Sequence, residues 1–192
     1  MGSSFVDRGR EVPRIGEVSR QLCETYGPET ESSVHAPVQT VVGDAVAIHE
    51  QVKWNAGVTI NVELGNVDAV VRLSKSILRH CVYNLVQNVI GASLSGSTMT
   101  VHGAIESKNF GLRVSDGGPG TPITLRDSIF LPFVSTIPLQ LSTGGIGLGL
   151  SLVRRALGAA GGSILVIDAN GDGVAFVARI PLVDNPVHGV PA

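Results

Sequence analysis

Cysteine is scarce in this chain: two residues, Cys23 and Cys81, stand far apart in 192 and at no metal-ligand spacing. That scarcity excludes a disulfide framework or a zinc cluster and predicts reduced thiols, as in a cytosolic-type compartment. Long apolar runs are missing too. No stretch approaches the roughly 20 apolar residues of a membrane span, so the sequence predicts a soluble piece with no membrane contact. The start, Met1-Gly2-Ser3-Ser4-Phe5-Val6, lacks the apolar core of a secretory signal. It also lacks the hydroxyl residue that myristoylation wants four places after Gly2. No basic run occurs, and a net charge of -2 with a pI near 6.2 offers no broad attraction to nucleic acid or anionic lipid.

Glycine, by contrast, is plentiful: the chain has 24, above the roughly 7% average, and much of the excess lies in two short clusters. The length accommodates one domain of ordinary size with its own core, plus a short appendage. Val12, Ile15, Val18 and Leu22 fall at helical spacing. They read either as the end of a bundle or coiled-coil helix or as a helix packing on its own domain. Gly27 to Ser33 reads as a linker, and the domain proper is placed at 37–183, with 1–36 before it and a frayed tail at 184–192.

Within 37–183 the pattern predicts a helix from Val38 to Trp54, a strand at Val58–Val62, and a second short strand at Asp68–Arg72. The longest helical signal runs from Leu73 to about Ala92. Two strands follow, Thr98–Glu106 and Gly111–Val114, joined by a turn at Ser107-Lys108-Asn109. Asp116 to Gly147 is long and irregular, rich in proline and glycine, and reads as a lid. A helix from Leu148 to Ala160 stops at Gly161-Gly162, and strands Ser163–Ile167 and Val174–Ile180 close the domain around Asn170-Gly171. The predicted class is α+β, a two-layer sandwich with three helices on one face of a mixed, mostly antiparallel sheet.

Three clusters carry chemistry. Asn84 and Asn88 continue the apolar stripe of Ile77 and Cys81 at four-residue spacing. Asparagine is a poor interior helix former, so the pair reads either as oxygen ligands for magnesium or as amides that cap nearby loops. Val114-Ser115-Asp116-Gly117-Gly118-Pro119-Gly120 sits at a strand end. It matches a carboxylate that accepts from an adenine amine beside glycines that admit the ring, and it also matches an ordinary Asp-Gly turn. Gly144-Gly145-Ile146-Gly147-Leu148-Gly149-Leu150 opens a helix, which is either an anion site of backbone N–H groups or a glycine-rich helix entry without a ligand. It matches neither the dinucleotide fingerprint nor a P-loop.

In order, the Asn-Leu-Val-Gln-Asn helix, the Asp-x-Gly-x-Gly strand end, Ile129-Phe130-Leu131-Pro132-Phe133 and the Gly-x-Gly-Leu-Gly-Leu helix entry resemble the N, G1, F and G2 boxes of the histidine-kinase ATP-binding domain. That superfamily also holds type II topoisomerases, mismatch-repair ATPases and a heat-shock chaperone. The resemblance, over about Val38 to Leu182, implies ATP and Mg2+ as ligands. It implies that Asn88 holds the metal, Asn84 supports the phosphates, Asp116 reads adenine, and Gly118 and Gly120 shape its pocket. Phe130 and Phe133 would anchor the ATP lid, while Gly145, Gly147, Leu148 and Gly149 bring backbone donors to the phosphates. The hydrolysing relatives place a glutamate at position 84, whereas Asn84 cannot take a proton from water, which favours a kinase.

The chain departs from the family's pattern in three ways. Gly91 and Ile137 stand where a basic residue is usual, leaving Arg126, Arg154 or Arg155 to compensate. No helical hairpin with a phosphoacceptor is legible: His49-Glu50 resembles the acceptor motif by coincidence, and His35 lies in the linker. The resemblance therefore implies a cytoplasmic two-component phosphotransferase whose partners are a phosphoacceptor histidine domain and a response regulator, with a homodimer allowed. The alternative is a degenerate nucleotide-binding or non-catalytic kinase-like module that acts through protein interaction.

Overall fold

The computed structural model describes residues 37–49, 57–65, 69–135, 147–169 and 173–183. Helix α1, Val38–Ala47, starts directly after Pro37 and buries Val38, Val41, Val42, Ala45 and Val46, a stripe at three- and four-residue spacing. It ends short of the Trp54 read from the pattern; residues 50–56 lie outside the described residues. Helix α2, Lys75–Ala92, is capped by Ser74, whose hydroxyl accepts from the Ile77 N–H at 3.4 Å. Its apolar face, Leu78, Cys81, Val82, Leu85, Val86, Val89 and Ile90, is the centre of the core. Helix α3, Gly149–Ala159, buries Leu150, Leu152, Val153 and Leu157, and stops where the Gly162 N–H bonds back to the Leu157 carbonyl at 2.8 Å.

Five strands, β1 Thr59–Leu64, β2 Thr98–Glu106, β3 Asn109–Ser115, β4 Ser163–Asp168 and β5 Val174–Pro181, form one sheet in the order β1-β2-β3-β5-β4. β1 and β2 are parallel because α2 intervenes as the crossover, and the remaining three pairs are antiparallel. The register lines up Val101, Val114, Phe176 and Val166 in one row on one face, with Leu112 and Ala178 in the next. Against that face lie α2 and α3, and α1 packs on α2. The opposite face aligns Thr100 with Ser115 and His102 with Arg113, a polar surface that fits a two-layer α+β sandwich.

The structure differs from the sequence reading at 69–72, which forms no strand. Val71 makes a single bridge to Leu182, flanked by bonds from the Arg72 N–H to the Pro181 carbonyl and from the Val183 N–H to the Val70 carbonyl. The helix cap at Ser74 follows too closely for a ladder to extend. In the irregular segment after β3 there are two 3₁₀ turns, Ile123–Leu125 and Ser128–Phe130. The amphipathic stretch 12–22, the linker and the tail lie outside the described residues. Among the described residues no helix is long and apolar enough to cross a membrane.

Two reactive side chains are sealed into the helical layer. Burial pushes the Cys81 thiol up to about 12, which leaves it inert as a nucleophile. His49 is 1% exposed, donates from Nδ1 to the Ala45 carbonyl at 3.1 Å, and packs on Tyr83 with ring centroids 4.5 Å apart. Burial lowers its pKa, opposed by the Ala45 bond and less strongly by the neighbouring Gln87 amide, which makes no bond of good geometry to Nε2. A ring enclosed in this way is a packing element and has no access to a phosphoryl donor.

The depressed pKa means that below about pH 6.5 the unfolded chain takes up a proton that the folded chain refuses. Stability therefore falls as pH drops through that range and is insensitive to His49 above it. Urea unfolding between pH 5 and 8 should show this acid limb, and His49→Leu should flatten it; an unchanged limb in the variant would mean that other groups cause it.

Candidate functional site

The C-terminal half of α2, the end of β3 and the N-terminus of α3 meet at one edge of the sandwich. On α2, the Asn84 amide nitrogen donates to the His80 carbonyl at 2.9 Å, and that of Asn88 donates to the Asn84 carbonyl at 2.6 Å. Both nitrogens are thus spent on their own helix four residues back. With the nitrogens engaged, the amide oxygens are the hard oxygen donors of this helix face. The start of α3 sits directly on this pair: a methyl group built on Gly149 would lie 2.7 Å from Asn84 Oδ1 and 3.5 Å from Asn88 Nδ2. Leu148, the buried residue before α3, offers no side-chain cap, so the first N–H groups of the helix are left for another acceptor.

At the other end, Asp116 is 6% exposed. Its N–H donates to the Val174 carbonyl at 3.1 Å, and its Oδ1 accepts from the Val174 N–H at 3.0 Å. Oδ2 faces the gap beside the end of α2, where the Ser93 hydroxyl lies 3.4 Å away while bonding at 2.7 Å to the Val89 carbonyl. Gly118 leaves this gap open, since a methyl there would come within 2.9 Å of the Ala92 carbonyl and 3.0 Å of Asp116 Oδ2. Gly120 backs onto the Gly173 carbonyl. Gly173, with φ +128°, is required twice over: a methyl would overlap the Asp116 carbonyl oxygen, and an L side chain is strained at that φ. Ser93 and Gly173 are additions to the residues read from sequence. A hydroxyl just past a long helix and the fourth residue of Asn170-Gly171-Asp172-Gly173 were the available signals.

Of the segment read as a lid, residues 116–135 and Gly147 are described. Phe130 is buried, meets Phe176 edge-on with centroids 6.4 Å apart, and carries the Arg154 guanidinium 5.4 Å above its ring. Phe133, expected to anchor the segment in the same way, is 75% exposed. Its φ of +65° turns the side chain outward, and the anchor is its backbone, whose N–H donates to the Gly147 carbonyl at 2.9 Å. Gly147, at φ +74°, permits this contact, because a methyl there would sit 2.7 Å from the Val134 carbonyl oxygen. Gly145 lies outside the described residues. Arg126, considered as a substitute phosphate partner, is directed elsewhere: it pairs with Asp168 and donates from Nε to the Thr121 carbonyl at 3.1 Å. Among the described residues no cluster of three histidine, cysteine or acidic side chains could hold a metal.

The Gly173 constraint is directly measurable. Gly173→Ala should lose about 1 to 3 kcal/mol of stability by urea unfolding, given the strained φ and the overlap. Gly117→Ala, which meets nothing within 4 Å, should change it by less than about 0.5 kcal/mol. Equal effects of the two would mean that Gly173 is not under backbone constraint.

A family described as histidine kinase-, DNA gyrase B-, and HSP90-like ATPase matches residues 74–184, more than half of the chain. Among curated relatives, the adaptive-response sensory kinase SasA of Prochlorococcus marinus is 26% identical over 179 residues, covering 91% of this chain and 47% of the relative. The sensor-like histidine kinase SenX3 of Mycobacterium tuberculosis is 26% identical over 183 residues, covering 93% and 44%. The chain thus spans about half the length of the curated relatives it matches. In structure it is similar to the catalytic domain of histidine kinase ThkA, with a TM-score of 0.69, 24% identity, and coverage of 77% of this chain and 94% of that one. Histidine kinase ThkA in complex with response regulator protein TrrA gives a TM-score of 0.70 at 19% identity, covering 95% of this chain and 53% of the other.

Proposed function

The chain belongs to the histidine kinase-, DNA gyrase B- and HSP90-like ATPase family, and on that premise we propose that residues 37–183 are the ATP-binding catalytic unit of a cytoplasmic two-component sensor kinase. The observation that carries this reading is the seating of α3 on Asn84 and Asn88 at one end of the site, with the tied Asp116 carboxylate at the other. Asp116 Oδ2 is the acceptor for the adenine amine, and the gap kept by Gly118 admits the ring. The uncapped N–H groups at the start of α3 meet the phosphates, with Asn84 alongside.

The Asn88 amide oxygen suits a hard cation, and Mg2+ held there with phosphate oxygens would neutralise charge on the departing phosphoryl group. Asn84 has no basic oxygen to take a proton from water, so the site favours transfer to an acceptor over hydrolysis. The acceptor is a histidine imidazole that this chain does not supply, and the enclosure of His49 by α1 and α2 fits that reading. The γ-phosphorus–oxygen bond to ADP breaks as the bond to the imidazole nitrogen forms, and a response regulator then takes the phosphoryl group. A second reading, a kinase-like module that binds nucleotide without transfer, is favoured by one observation: Arg126 faces Asp168.

Calorimetric titration with a non-hydrolysable ATP analogue tests the site. Binding should weaken when magnesium is withheld and fall about tenfold or more in Asp116→Asn, as loss of a charged hydrogen bond implies. Absence of binding up to millimolar analogue would sink the nucleotide reading for this chain.

A further inference from the structure

The two edges of the sheet, β1 and β4, are built differently. On β1 the face turned away from the helices carries Thr59, Asn61 and Glu63, and the Asn61 amide donates to the Glu63 carboxylate at 2.7 Å. Polar and charged side chains of this kind discourage a further strand from adding to an edge. β4, Ser-Ile-Leu-Val-Ile-Asp, has no lysine, no proline and no bulge: its register with β5 is unbroken from Ser163 opposite Arg179 to Asp168 opposite Val174. Its one charge, Asp168, stands at the last position and is paired with Arg126. Leu165 is 38% exposed. It lies beside Val177 on the face turned away from the helices, with Ile167 beside Ala175 in the next row, so that face turns from polar to apolar as it reaches β4.

The backbone of β4 presents its groups in a self-matching pattern. The Ala169 N–H donates to the Gly173 carbonyl at 3.2 Å, continuing the β4–β5 register. Alternate residues of an antiparallel ladder face the same neighbour. Ile167, Leu165 and Ser163 are therefore turned to β5, while Val166 and Ile164 direct their N–H and C=O groups off the sheet. These two straddle Leu165. A two-fold axis through Leu165, perpendicular to the sheet, sets Ile164 opposite Val166 of a second copy and Val166 opposite that copy's Ile164, so that each pair exchanges both hydrogen bonds. Leu165 then meets its own counterpart on the apolar face, Ser163 meets Ile167, and no like charges meet, because 163–167 carries none. An isologous contact requires a surface that complements itself. This strand meets that requirement in backbone and in side chains, which selects a second copy over an unrelated peptide.

We propose that β4 is a self-association edge, on which a second copy of this chain adds its own β4 antiparallel about a two-fold axis at Leu165, joining the two five-stranded sheets into one. A junction of one short strand per partner is small beside standard interfaces. The dimer is therefore weak and concentration-dependent, with a dissociation constant on the order of 10 to 100 μM.

The test is light scattering on the full chain from about 10 μM to about 1 mM, a range that brackets that constant. The mass should rise towards twice the 19.9 kDa of one chain. Leu165→Lys, at an exposed position, should weaken the dimer about tenfold or more, whereas Val62→Lys on the β1 edge should leave it unchanged. The register is tested by cross-linking in a Cys23→Ser background, Cys81 being buried. Leu165→Cys should form an intermolecular disulfide under mild oxidation, since the facing Cα atoms would lie about 4.5 Å apart. Ile167→Cys should not, because it and its counterpart would be offset by about 13 Å along the strands. A monomer at every concentration would overturn the inference. So would a dimer that persists in a Leu165→Lys protein melting like the wild type, or one abolished by Val62→Lys, since either places the contact elsewhere. Cross-linking through Ile167→Cys in preference to Leu165→Cys would overturn the two-fold at Leu165.

Discussion

The last rung of the β3–β5 ladder is made by a side chain. Regular pairing runs from Asn109 opposite Pro181 to Ser115 opposite Ala175. One residue further, the Asp116 N–H still reaches the Val174 carbonyl, but the Val174 N–H is taken by the Asp116 carboxylate. This pairing holds a buried acidic group, which is costly without partners, by giving it the hydrogen bond it needs. It also stops the strand, sends the chain into the glycine segment and aims the other carboxylate oxygen at the end of α2. Gly173 is the concession that lets β5 approach so closely.

The second organising contact is the packing of α3 on α2. Both helices bury apolar stripes against the same sheet face, and their shared core brings Gly149 against Asn84. The absence of a side chain at position 149 is therefore a packing requirement before it is a functional one. Because the asparagine amides bond back along α2, the orientation of their oxygens is set by the helix itself. Preorganised polar groups of this kind cost little to bring into contact with a charge. The site is thus fixed by hydrogen bonds on its α2 and β3 sides, and the Phe133 N–H bond to the Gly147 carbonyl ties the segment after β3 to the entry of α3.

Much of the site was legible because helical and strand periodicities are local. The four-residue spacing of Asn84 and Asn88, the strand end at Asp116 and the glycine-led entry to α3 all follow from short-range pattern. Other features were not legible, for equally physical reasons. Phe130 and Phe133 look alike in sequence, but a positive φ at Phe133 sends its ring outward while Phe130 is buried against Phe176. Arg126 has the composition of a phosphate partner and the geometry of a strap to β4. Residues 69–72 have strand-like composition, yet the cap at Ser74 leaves room for only one bridge.

By itself, then, the sequence determined the class of fold and most of the element types, and it singled out candidate polar groups, since these depend on residue spacing and on backbone preference over a few positions. Tertiary structure decided which groups are partnered. His49 became a sealed packing residue because α1 lies on α2, and Ser93 became a neighbour of Asp116 because α2 ends beside β3. Gly173 became indispensable because β5 returns beside the end of β3. Contacts between segments distant along the chain carry no local signature, and they become definite only when burial of the shared apolar face has fixed the positions of helices and sheet.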